Sequence, residues 1–392
     1  MLRSLCLALV LLCPAAALAA PGWVAHFTGN GTIEDPRTGA AIELPLERRV
    51  HVALLAEGYT QADLDAGRFD RDVERWMAEV LAVEPYATYR QALVVWKLPV
   101  ASAERIRAGV GDTALRLPVR ADRRGVDMEA IRADGETAAR IWAALRRLPH
   151  APARFFPPGG RTSRLAKDVV AHVLVLDPRK GQRGLSGVAL PMIDPERRGR
   201  RVAVAIGHDL AHEFSHAFAR LQDEYMEDCC GPRGAEPVAG GSSSAQLANV
   251  VKGNACETLP WRHLLAGGAI NPSGEGLVGA FGFGEVGYHP ELKCLLNGAH
   301  DNRAFYGGDG WLRTPTRLCN FCREVTALRF FERTGVLEDS TRSLQIWERE
   351  FRAPFFARYG FDVPGEVPQR TSDGRAWFQA CEQAPAAAVT RR

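Results

Sequence analysis

The sequence predicts an α/β fold, with α+β as the alternative, on three observations. Apolar runs of strand length recur at residues 50–55, 91–100 and 169–176, the last rich in Val. Between the first two, Thr60 is a fitting N-cap for a helix over 62–83, and between the second and third, residues 127–148 repeat apolar positions at helical spacing. Strands that alternate with helices bury their faces by stacking in layers.

The other segments follow in chain order. Arg3, the apolar stretch 5–12 and Ala17-Leu18-Ala19 have the form of a Sec signal peptide cleaved after Ala19. Leu12 precedes Cys13 where a lipidation signal wants a small residue. Residues 20–48 carry turn signals between short apolar runs and read as a strand-rich N-terminal segment. Residues 177–200 are rich in Pro, Gly and Arg and read as a loop, and 202–206 is a short apolar run before the motif helix. Gly/Ser/Pro-rich stretches at 231–244 and 267–287 predict a largely irregular region over 226–300. Helices are expected at 324–334 and 344–359, with a frayed tail from 383. The division is 1–19 signal peptide, 20–48 N-terminal segment, 49–335 main domain and 336–392 C-terminal helices and tail.

A net charge of +3 from 49 basic and 46 acidic residues mixed along 392 positions gives no basis for nucleic-acid binding. After the leader, no stretch is apolar enough to span a membrane, so the mature chain is expected to be secreted or periplasmic. Cys6 and Cys13 leave with the signal peptide. Cys229, Cys230, Cys256, Cys294, Cys319, Cys322 and Cys381 remain. An oxidising compartment favours disulfides among them, stapling the irregular C-terminal half, with at least one of the seven left over.

The informative stretch is His212-Glu213-Phe214-Ser215-His216, the pattern H-E-x-x-H. Residues four apart on a helix share a face, so both imidazoles can reach one cation, and zinc suits neutral imidazole. Glu213 can then reach a water that zinc has acidified and act as general base and proton donor. A chance match in a chain with ten histidines is on the order of one in a hundred. The third ligand is one of two carboxylates nearby, Asp223 or Glu224. On a continued helix Asp223 would lie about 10 Å from His216 along the axis, so the chain must leave the helix between Ala217 and Leu221 and fold back.

The segment 212–225, HEFSHAFARLQDEY, resembles the active-site segment of the IgA peptidase family, metzincin-like zinc metalloendopeptidases. The resemblance extends to His51–Tyr59 (HVALLAEGY), Phe69, Glu84-Pro85-Tyr86, Val94-Val95-Trp96, Trp261, Tyr288-His289-Pro290 and Cys319–Arg323, covering roughly residues 50–335. It implies Asp223 as third ligand, with Glu224 the alternative. It also implies a metzincin-like fold, a zinc cofactor and a protein or peptide substrate. The immunoglobulin of the family's name is not carried over. Two departures stand out: Arg220 occupies the usual Gly of the fold-back, and Leu296 occupies the Met position of the turn beneath the metal.

The remaining signals are weaker. Cys319-Asn320-Phe321-Cys322 could hold a structural zinc with Cys229 and Cys230 or act in redox, and structural disulfides are the favoured reading. Tyr288 stands near enough to the 296 turn to contact an oxyanion or simply pack in the core, and His263, His289 and His300 read as structural or surface residues. The expectation is an exported zinc metalloendopeptidase that hydrolyses peptide bonds through a zinc-activated water. His212, His216 and Asp223 are the ligands and Glu213 the catalytic residue. The alternative is an impaired pseudo-peptidase, or an exported binding protein that keeps a structural zinc site.

Overall fold

The computed structural model of the chain describes residues 22–121, 125–149, 165–176, 187–196, 201–207, 210–224, 247–252, 258–264, 281–283, 287–291, 294–297, 317–337 and 342–359. The signal-peptide region, Cys229, Cys230, Cys256, Cys381 and His300 lie outside these residues.

The apolar runs pair into a mixed six-stranded sheet, which bears out the α/β reading. Its order is β1 (Val24–Thr28), β5 (Leu93–Leu98), β4 (Val50–Glu57), β8 (Leu165–Val175), β10 (Arg201–Ile206) and β9 (Val188–Ile193). The four central strands run parallel, and the two outer strands are antiparallel to their neighbours. Parallel strands covered on both faces need apolar residues throughout, and all eight residues of β4 are buried. Its side chains alternate: Val50, Val52, Leu54 and Ala56 face one core, Ala53 and Leu55 the other. Helices α2 (Arg68–Val80), α6 (Leu210–Ala219) and α7 (Asn320–Arg333) supply the first core through Trp76, Phe214, Phe218 and Phe330. Helix α5 (Glu136–Leu145) supplies the second through Ile141, Trp142 and Leu145.

Several boundaries differ from the sequence reading. The helix expected over 62–83 is two, α1 (Gln61–Asp65) and α2, because Gly67 adopts φ 66° between them. Thr60 is the expected N-cap, completed by Asp63 into a capping box. The 127–148 helix likewise breaks into α4 (Met128–Asp134) and α5 at Gly135, φ 68°. The C-terminal helices begin slightly earlier than expected, at Asn320 and at Ser343, and the second passes through a π-turn at Trp347–Phe351 before ending in Arg352–Tyr359. The N-terminal segment is not separate: β1 closes one edge of the main sheet.

The stretch read as a loop at 177–200 contains β9. Pro191 hid it, since proline demotes a run from strand to loop. An edge strand accommodates a proline, and Pro191 pairs opposite Ala203 there. No disulfide joins the described cysteines: Cys294, Cys319 and Cys322 are buried free thiols. No described helix is long and apolar enough to cross a membrane.

Candidate metal centre

Helix α6 is amphipathic in a way that separates packing from chemistry. Leu210, Phe214, Ala217 and Phe218 lie in the core, spaced at three, four and seven. Phe214 makes an edge contact with Trp76, ring centroids 5.1 Å apart, and Phe218 packs on Phe330 at 4.5 Å. His212 and His216 lie one turn apart on the remaining face, each side chain 13% exposed. The helix C-terminus is held by Arg333, which donates to the Phe218 carbonyl at 2.7 Å and stacks over the Phe218 ring.

The chain leaves α6 at Arg220, which adopts φ 61° and donates its N–H to the His216 carbonyl at 2.9 Å. This is a left-handed helix end of the kind glycine usually makes, here formed by an arginine at some conformational cost. The fold-back carries Asp223 over the helix. Its Oδ1 is 3.0 Å from Nε2 of His212 and 3.0 Å from Nε2 of His216, and the two Nε2 atoms are 3.0 Å apart. Glu224 points the opposite way, into the interior, as adjacent side chains of an extended chain do.

The ring tautomers decide what such a triangle can hold. His212 Nδ1 faces the Leu295 carbonyl at 3.0 Å, and His216 Nδ1 faces the Leu221 carbonyl at 2.6 Å. A carbonyl only accepts, so each Nδ1 carries the proton and each neutral Nε2 presents a lone pair. Two Nε2 atoms and a carboxylate oxygen therefore converge on one point, where either a cation or protons on the imidazoles must balance the carboxylate charge. Burial pulls the His212 pKa down, but the Asp223 carboxylate outweighs it and the result is about 10. His216 is raised by the same opposition, and against the cost of desolvation its imidazole with that of His212 holds Asp223, whose side chain is 45% exposed, well below the usual carboxylate range. The residues fit a divalent cation.

Glu213 is buried, 6% exposed, and its charge contributes to raising both imidazoles. It packs against the backbone of Gly187, at the start of β9: a Cβ built on Gly187 would lie 2.7 Å from Glu213 Cδ and closer still to Cγ. Two other histidines bond locally. His51 Nδ1 accepts from Trp96 Nε1 at 2.9 Å, and His263 pairs with Glu324 at 2.6 Å. His289 is buried, which lowers its pKa to about 4.

The sequence reading misses Asn249 and Gly187 and places Glu224 only as an alternative ligand of the histidine site. Asn249 clamps the fold-back, accepting from Gln222 N and donating to Gln222 O, both at 2.8 Å, and to Glu224 Oε1 at 2.9 Å. Gly187 shapes the space of Glu213. Glu224 joins Cys294, Cys319 and Cys322 in a second convergent group. The bare sequence distinguishes Asn249 and Gly187 from no other Asn or Gly, because their partners are remote in the chain.

Residues 43–135 match the family model for IgA Peptidase M64. The match supports the IgA peptidase resemblance. It spans β4, α2 and β5 and stops well before His212, so it and the H-E-x-x-H segment point to the IgA peptidases from separate parts of the chain. No curated protein matches the chain.

Proposed function

We propose that the chain is an exported zinc metalloendopeptidase. The observation that carries this is the triangle of His212 Nε2, His216 Nε2 and Asp223 Oδ1, each pair 3.0 Å apart, beside the carboxylate of Glu213. The IgA peptidase match supplies the reaction class independently of that triangle. Zinc bound there supplies Lewis-acid chemistry, acidifying water and polarising a carbonyl. Leu295 and Leu221 fix the tautomers that leave both Nε2 atoms as ligands. Glu213 takes the proton of the attacking water and passes it to the leaving amine. Among the described strands β9 is the outer edge, and Gly187 at its start lies against Glu213, so its outer side is placed to align an extended peptide by strand addition.

The leader-like residues 1–19 support export, with the mature chain beginning near Ala20. Both halves are testable on one preparation. N-terminal sequencing of protein recovered outside the cytoplasm should start near Ala20. Hydrolysis of a denatured protein mixture should disappear on chelation and return with zinc. Glu213→Gln should keep the metal and lose turnover by about 10²–10⁴. A Glu213→Gln protein with full zinc and wild-type turnover would sink the mechanism.

A further inference from the structure

Directly beneath the candidate active site the described residues hold a second convergence that the peptidase chemistry does not use. Cys294, Cys319, Cys322 and Glu224 each offer one ligand atom, all lying within 4.8 Å of one another. All four residues are fully or almost fully buried. The sulfurs come from two places, Cys294 before the 295–297 turn and the C-x-x-C at the start of α7. We infer that these four residues bind a structural divalent metal ion, zinc by the chemistry of three thiolates and one carboxylate.

Four observations support it. Backbone N–H groups already point at the sulfurs: Cys319 N is 3.3 Å from Cys294 Sγ, and Cys322 N is 3.4 Å from Cys319 Sγ. Such donors stabilise thiolates, and C-x-x-C is the common ligand spacing of structural zinc. Cys322 Sγ lies 3.3 Å from Glu224 Oε1, so carboxylate and thiol already share one site. Glu224 Oε2 is buried and makes no hydrogen bond within the described residues, and His289 Nδ1, 3.5 Å away, is turned to the Glu291 carbonyl at 3.0 Å. A buried carboxylate oxygen left so is costly unless something else occupies it. Finally, three sulfurs cannot be satisfied by one disulfide, since an odd thiol would remain. Burial first, and then the neighbouring Cys294 sulfur, pushes the Cys319 and Cys322 thiols up, towards their neutral forms, while Cys294, against its burial, is pushed down by hydrogen bonds from Cys319 and Cys322. A cation at the centre reverses this, because a coordinating thiol is deprotonated outright and its proton leaves to solvent.

The position of the cluster gives the ion a task. Glu224 follows Asp223 and donates its N–H to the Leu296 carbonyl at 2.9 Å, while Leu295, one residue earlier, holds His212. An ion joining Glu224, Cys294 and the start of α7 would tie the fold-back, the 295–297 turn and α7 into one unit under the three candidate catalytic ligands. Cys229 and Cys230 are not needed for it.

Cobalt substitution separates the two sites, because the His212, His216 and Asp223 set contains no sulfur. Purified full-length protein is expected to carry two metal ions per chain by elemental analysis. Its cobalt form should show a thiolate-to-cobalt charge-transfer band. The His212→Ala/His216→Ala variant should drop to one metal, lose activity and keep the band. Cys322→Ser, which removes one of three thiolates, should weaken the band or lose it together with the metal. Three results would each overturn the inference: no charge-transfer band in cobalt-loaded wild type, a band of unchanged intensity in Cys322→Ser, or a peptide map with Cys294, Cys319 or Cys322 in a disulfide. If Cys322→Ser fails to fold, the wild-type band and the peptide map still decide.

Discussion

Gly187→Ala tests the placement of the proposed base without touching a metal ligand. Gly187 has no left-handed backbone requirement, so alanine meets no strain of its own there. The difficulty is entirely steric and falls on one side chain: the new methyl would stand 2.7 Å from Glu213 Cδ and closer to Cγ. Since Cγ lies near the root of the side chain, Glu213 must change rotamer or β9 must retreat. Either response costs about 1–3 kcal/mol of stability, the usual range for an overpacked buried site. The catalytic cost is larger, because a carboxylate moved by about 1 Å no longer meets the proton it must take. Losing general-base catalysis lowers kcat by about 10²–10⁴, or roughly 3–5 kcal/mol of barrier at 1.36 kcal/mol per decade. Zinc content should stay at the wild-type level, as no contact of His212, His216 or Asp223 changes. The assay is kcat and KM on an unstructured peptide, read beside metal content and a melting curve. The double variant Gly187→Ala/Glu213→Gln should be no slower than Glu213→Gln alone, since both remove the same function. A folded Gly187→Ala protein with wild-type kcat would refute the placement of Glu213 as the base.

The other predictions concern ligands, helix end and acid stability. Asp223→Ala should weaken zinc at the histidine site by more than about a hundredfold, beyond the usual effect of an outer-shell change, while Glu224→Gln leaves that site within about tenfold; a metal titration with the opposite ranking would move the ligand to Glu224. Arg333→Met keeps the packing on Phe218 but strips the α6 C-terminal carbonyls of their donor, and should cost about 1–3 kcal/mol in urea unfolding, an unchanged midpoint counting against the cap. Asp63 is held well below the usual carboxylate range by the Arg105 hydrogen bond and then by Thr60, against the effect of burial, so its stabilisation is complete above about pH 4 and is lost as the pH falls further. Asp63→Asn should therefore lower the melting temperature at neutral pH and flatten the fall below pH 4; parallel acid limbs for the two proteins would exclude that linkage.

What the sequence made legible was set by local periodicity. The strands β4, β5, β8 and β10 read as continuous apolar runs because both sheet faces are covered. The pairing of His212 with His216 follows from helical spacing alone. What stayed hidden depended on partners far along the chain. The long helices looked unbroken because single glycines at 67 and 135 are tolerated inside a helical pattern until the backbone turns left-handed at them. Strand β9 was masked by Pro191, whose missing N–H matters only to a strand paired on both sides. The arrangement of Cys294, Cys319 and Cys322 stayed hidden for a related reason: the number of cysteines suggests staples, but these three are free thiols that converge with Glu224, 70 residues or more from each in sequence and invisible to cysteine spacing.

Asp223-Glu224 is where the two halves of the reading meet. As a pair of adjacent carboxylates they offered alternative ligands for one zinc, and sequence alone weighed one against the other. In the fold they are not alternatives. Asp223 Oδ1 faces the two imidazoles, and Glu224 faces Cys322 on the opposite side of the same backbone. Asn249 bonds the peptide groups of Gln222 on both sides, so the direction of the next two side chains is fixed before any ion arrives. Two acidic residues with no spacer between them thus connect the proposed zinc triangle to the proposed buried thiolate site. A loosened Glu224 would be felt first as a misplaced Asp223, since the two adjoin and Glu224 ties this stretch to the 295–297 turn through its N–H to the Leu296 carbonyl.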